Sequence, residues 1–153
     1  MVGSLLLSAR SRPALTVTIG HPQAVTFQNG IRLLGYDVEP PAARPGQPIH
    51  LRLYWQTTRP VDQSWTVFTH LLDAQSQVRA QQDGLPVGAT RPTTTWAPDE
   101  TIVDPHDLVV QPDAAPGADQ LEIGLYDAAT GRRLTTADGQ DRVLLDSPFA
   151  VQP

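Results

Sequence analysis

The sequence predicts an all-β domain built as a two-sheet antiparallel sandwich, Ig-like or jelly-roll, with Greek-key connections. Three observations predict it. Short runs rich in β-branched and aromatic residues alternate apolar and polar positions, the period of a half-buried strand. The 15 prolines and 11 glycines lie between these runs rather than in a tail, which is turn punctuation at strand spacing. No stretch carries the 3.6-residue period of an amphipathic helix.

Taken in order, residues 15–19 (LTVTI) read as a first strand that stops at Gly20-His21-Pro22. Residues 25–27 form a short strand closed by the Asn29-Gly30 turn signal. Residues 31–39 (IRLLGYDVE) follow and end at Pro40-Pro41. Residues 49–57 (IHLRLYWQT) give the cleanest strand. Ile49, Leu51, Leu53 and Trp55 fall on one face, and His50, Arg52, Tyr54 and Gln56 on the other. Residues 65–73 (WTVFTHLLD) are apolar on both faces, the pattern of a central strand. Residues 77–83 pair with them as a hairpin.

Residues 84–98 form a loop longer than a hairpin needs. Short strands at 100–103 and 108–110 are separated at Pro105, because proline cannot donate to a ladder. Residues 121–126 (LEIGLY) alternate again, with Leu121, Ile123 and Leu125 inward, and Asp127 to Gly131 form a turn. Residues 132–134, 143–145 and 149–151 complete the set. The domain covers residues 21–153. Residues 1–20, which include Leu5-Leu6-Leu7, read as a linker or the tail of a preceding segment of a longer protein, carrying the first strand at their end.

Composition excludes several functions. The chain has 153 residues, enough to bury roughly 70% of its unfolded surface without a staple. It has no cysteine, hence no disulfide, thiol nucleophile or cysteine metal site. All 11 basic residues are arginine, so no Schiff-base lysine and no phosphate-loop lysine exist. A net charge of −5 argues against nucleic acid and against an anionic membrane surface. No apolar run reaches the ~20 residues of a membrane helix, so direct membrane insertion is not expected.

Chemical motifs are sparse. No Gly-x-Ser-x-Gly elbow occurs. Gly84-x-x-x-Gly88 lacks the lysine of a phosphate loop. Glu39, Glu100 and Glu122 are the only glutamates; Glu100, Asp104 and Asp83 would have to converge around a cleft to act as a glycosidase. His70, Asp83, Asp104, His106 and Asp107 are the available metal-ligand types, but their spacing matches no zinc pattern. Asp138-Gly139-Gln140-Asp141 is half of a calcium loop, without the oxygens that would finish it. Catalytic residues, metals and cofactors are therefore not expected.

Tryptophan rings stack on sugars. Trp96 is the leading candidate, since no strand alternation buries it; the alternative is a tryptophan plugging the sandwich end. Tyr54 and His70 join it as candidate ligand contacts. Trp55 reads as core, and Trp65 as a strand-start residue tending to the core.

Leu53-Tyr54-Trp55-Gln56, Val67-Phe68-Thr69-His70-Leu71-Leu72-Asp73, Trp96-Ala97-Pro98-Asp99-Glu100 and Gly124-Leu125-Tyr126-Asp127 with Thr130-Gly131 occur in that order. Over about residues 31–150 this resembles the C-terminal extracytoplasmic β-sandwich domain of bacterial dolichyl-phosphate-mannose mannosyltransferase-like (glycosyltransferase family 39-like) membrane proteins. The resemblance implies a non-catalytic accessory domain outside the cytoplasm, whose partners are other domains of its parent or envelope proteins. A carbohydrate-binding module, with a glycan as partner, is the alternative. A hydrolase using acidic residues is the third reading.

Overall fold

The computed structural model of the chain describes residues 17–153. Those residues form ten strands and a single 3-10 turn, with no α-helix among them. In chain order the strands are β1 (His21–Thr26), β2 (Ile31–Glu39), β3 (Ala42–Ala43), β4 (Pro48–Thr57), β5 (Thr66–Leu72), β6 (Val78–Gln81), β7 (Ile102–Val109), β8 (Gly117–Tyr126), β9 (Val143–Leu144) and β10 (Phe149–Val151). They make two sheets packed face to face. One runs β1-β2-β4-β7; the other has six strands in the order β3-β10-β8-β5-β6, with β9 and β10 pairing in turn along the edge of β8 away from β5.

Alternation places the core where the sequence puts it. Ile49, Leu51, Leu53 and Trp55 of β4 face Val67 and Leu71 of β5 and Leu121, Ile123 and Leu125 of β8 across the interior. Each large apolar side chain buried there contributes roughly 1.5–3 kcal/mol before entropy is counted.

Several elements differ from expectation. Of the expected first strand, residues 17–19 are outside any strand and the rest lies outside the described residues. His21-Pro22 is not a stop but opens β1, whose bulge between Pro22 and Val25 absorbs the proline. Pro105 does not interrupt: β7 runs unbroken from Ile102 to Val109. It is an edge strand, hydrogen-bonded only to β4, so the missing N–H removes nothing from a ladder. Residues 132–134 touch β8 through one isolated bridge, Tyr126 to Arg133, rather than a strand. The pair β3 and β10 is parallel, in an otherwise antiparallel sandwich.

The long loop closes one end of the sandwich. Arg91 donates to both oxygens of Glu100, at 3.0 and 2.7 Å. Trp96 is thereby turned inward, where its Nε1 donates to Arg91 O at 2.9 Å and its ring packs 6.3 Å from that of Trp55.

Candidate functional site

The three candidate ligand contacts are not brought together. Trp96 is only 3% exposed and belongs to the core, so neither ring face is open to a sugar. Tyr54 points outward from the four-stranded sheet but is 2% exposed. Its hydroxyl donates to Asp37 Oδ2 at 2.5 Å, and burial, reinforced by that carboxylate, raises its pKa. His70 lies on the opposite outer face of the sandwich, on β5. Trp55 is fully buried and Trp65 half-buried.

Around His70 the register assembles a polar and aromatic face. On β5, Thr66, Phe68 and His70 point out; on β8, Glu122, Gly124 and Tyr126 do. Pairing sets His70 opposite Glu122, Phe68 opposite Gly124 and Thr66 opposite Tyr126. His70 Nδ1 lies 2.8 Å from Glu122 Oε2, and Arg142 Nη1 donates to Glu122 Oε1 at 2.9 Å. Arg133 sits 3.8 Å from the same carboxylate and stacks its guanidinium 4.2 Å over the Phe68 ring, a cation–π contact of order 0.5–2 kcal/mol. Asp83 closes the other side, 3.7 Å from His70 Nε2.

Electrostatics hold this face charged. Burial works to raise the Glu122 carboxyl. The hydrogen bonds from Arg142 and His70 outweigh it, and the pKa falls below the ordinary glutamate value. Burial, and then the Asp83 carboxylate, raises the Tyr126 phenol, which stays neutral. Asp83 Oδ1 is buried and accepts no hydrogen bond among the described residues. The half-buried Tyr126 ring therefore borders fixed donors and the Asp83 carboxylate.

The remaining acidic groups are committed elsewhere. Asp104 and His106 do share one face of β7, but they turn inward and bind each other, Nε2 to Oδ2 at 2.6 Å. Asp104 also accepts Trp55 Nε1 at 3.1 Å and Val87 N–H at 2.7 Å. That last bond anchors a left-handed run, Val87, Gly88 and Ala89 at φ 55°, 58° and 70°, a conformation costing about 1–2 kcal/mol for each non-glycine residue. Asp107 pairs with His50 at 2.8 Å on the outer face, beside a depression of about 60 Å3 that Asp37, Glu39 and Arg52 also line. Residues 138–141 form a turn in which Thr136 donates to Asp138 and accepts from Gln140 N–H. No group of three or more His, Asp or Glu among the described residues is placed to hold a metal ion. No helix among them is long and apolar enough to cross a membrane.

Sequence reasoning singled out His70 but not Glu122, Tyr126, Phe68, Arg133 or Arg142 as its companions. Parity alone could have paired Phe68 with His70 and Glu122 with Tyr126. The register between β5 and β8, which joins the two pairs, has no signature in the residues.

Fold and site together define a two-sheet β-sandwich in which half-buried His70, Tyr126, Arg133 and Arg142 surround the buried Phe68 and Glu122 on one outer face. No protein-family model matches the chain, and no curated protein matches it. Among solved structures it is similar to the C-terminal domain of wzt, with a TM-score of 0.56 and 14% identity over 88% of each chain. At that identity the likeness establishes the fold alone. It also overlays on Pseudomonas fluorescens alkylpurine DNA glycosylase AlkC bound to DNA containing an abasic site analog, at TM-score 0.48 and 13% identity. That match covers 81% of this chain but 31% of the other, a partial overlay from which nothing follows.

Proposed function

We propose that the chain is a non-catalytic binding domain, an accessory part of a larger envelope protein, that presents the outer face of its six-stranded sheet to a carbohydrate. The observation that carries this reading is the grouping of half-buried Tyr126, His70, Asp83, Arg133 and Arg142 on one sheet surface, set over the buried Phe68 ring and Glu122 carboxylate that position them. The apolar C–H face of a pyranose stacks on a ring such as Tyr126. Carboxylates and guanidinium groups form charge-assisted hydrogen bonds to its hydroxyls. The extracytoplasmic, envelope setting is supported by the motif resemblance to mannosyltransferase-like membrane proteins. The accessory role is supported by a shared fold with a domain that is itself the C-terminal part of a larger chain.

A glycan-array screen of the full chain tests the reading. The expected result is a saturable hit that weakens at least roughly tenfold in Tyr126→Ala, with the melting temperature of that variant little changed. No hit at concentrations able to detect ~mM binding sinks it. A second reading, docking to another domain of the parent protein, has one observation in its favour. Val103 and Val109 stand 39% and 57% exposed on the outer side of edge strand β7. An array without hits, followed by capture of a parent domain by wild type but not by Val109→Asp, would favour it.

A further inference from the structure

Where β6 of one sheet approaches β7 of the other, a cavity of about 240 Å3 opens at the side of the sandwich. Gln82 and Gly84, which flank Asp83 in sequence, form one wall. Pro105 and His106 of β7 form another, and Leu85, Gly88 and Ala89 close it.

The cavity has the marks of a built site. His106 lines it with a side chain only 2% exposed. Both ring nitrogens are fixed, Nε2 on Asp104 and Nδ1 on the Gln82 amide oxygen. The same Asp104 holds the left-handed run through Val87 N–H. One carboxylate thus sets both the imidazole and the turn that bound the space. The Gly88 N–H has no acceptor among the described residues.

The lining decides the ligand class. It contains no guanidinium and no carboxylate, so a charged ligand would lose its hydration without an ion-pair partner. Leu85 and Pro105 offer apolar surface; the second N–H of the Gln82 amide nitrogen and the backbone at Gly88 offer a polar edge, while His106, with both ring nitrogens engaged, serves as wall. The volume lies below the roughly 300–1,000 Å3 of sites for drug-sized ligands, which fits one small unit.

We propose that this cavity is a second binding site, taking one neutral, ring-sized polar unit of the pyranose or acetamido-pyranose class. The choice of a sugar rests on the proposed function; the site itself stands on its own geometry.

The test is a titration of the isotope-labelled full chain with N-acetylglucosamine and, separately, with glucose, followed by amide chemical shifts. Concentrations on the order of 100 mM reach the weak-binding range. Saturable changes are expected at the amides of residues 82–89 and at His106. Gly84→Leu fills the space: a Cβ there meets only Gln82 Nε2, at 3.4 Å, and φ is ordinary. This variant is expected to keep the fold and weaken the changes at least roughly tenfold, while Tyr126→Ala leaves them intact. Should Gly84→Leu fail to fold, Leu85→Trp obstructs the same space from the turn, with the same loss expected. The cavity site is overturned if neither sugar moves these amides, or if the changes persist undiminished in the filled variant. Changes in the cavity with none at Phe68, His70 and Tyr126 support the site and count against the proposed function; the reverse overturns the site and leaves that function standing.

Discussion

Two tryptophans and one aspartate fix one end of this molecule. Trp55 and Trp96 pack ring to ring, and Trp55 donates to Asp104. Replacing either tryptophan by alanine leaves a cavity, and each change is expected to cost about 3–5 kcal/mol, read as a shift of the urea midpoint with the slope unchanged. A near-neutral Trp96→Ala would return that ring to the surface and restore it as a ligand contact. Asp119 behaves oppositely. Burial, then the nearby Asp73 charge, raises its pKa above the ordinary aspartate value, and its Oδ2 is buried without a partner among the described residues. A carboxyl whose folded pKa is raised opposes folding once it ionises, so its cost is present at neutral pH and fades as pH falls through the carboxylate range. Asp119→Asn is therefore expected to raise the melting temperature at pH 7 and to lose that advantage toward pH 3, by calorimetry across pH.

At the level of strands, the clearest lever is Gly124. Phe68 lies across it from the neighbouring strand, and a Cβ at position 124 would collide with the Phe68 ring carbons. Glycine to alanine within a strand ordinarily gains about 0.5–1 kcal/mol. Here Gly124→Ala is expected to destabilise instead and to displace Phe68 from under Arg133, visible as lost ring-current shifts. A stabilised variant with unmoved Phe68 signals would contradict the packing. Period-two alternation made β4 and β8 legible from residues 49–57 and 121–126, and an apolar run on both faces made β5 legible from residues 65–73; in β2 the shift of register between Leu33 and Gly35 blurred the alternation of residues 31–39. Pro105 misled because a proline reads as a break until the strand is known to be an edge. The two-residue strand β3 was hidden behind Pro40-Pro41, since its pairing to β10 is a contact over 100 residues away in sequence. Trp96 misled for the same kind of reason: what buries it is the Arg91–Glu100 clasp, which no local pattern announces.

Considered whole, the sandwich has two outer faces of different character. The face of β4 and β7 carries the pairs His50–Asp107 and Arg52–Asp37 with exposed valines at the edge. The face of β5 and β8 carries the rings and the Glu122 network. His70 and Tyr54, both singled out from sequence, lie on opposite ones, because residue parity gives a side of a strand but not which sheet the strand joins. The proposed ligand binds on the β5 and β8 face. Amide chemical shifts of the full chain, titrated with the best array hit, test it most directly. Changes clustered at residues 66–72, 120–126, 133 and 142 are the predicted result. Changes clustered instead at Asp37, His50, Arg52 and Asp107 would contradict it and place the ligand on the opposite face.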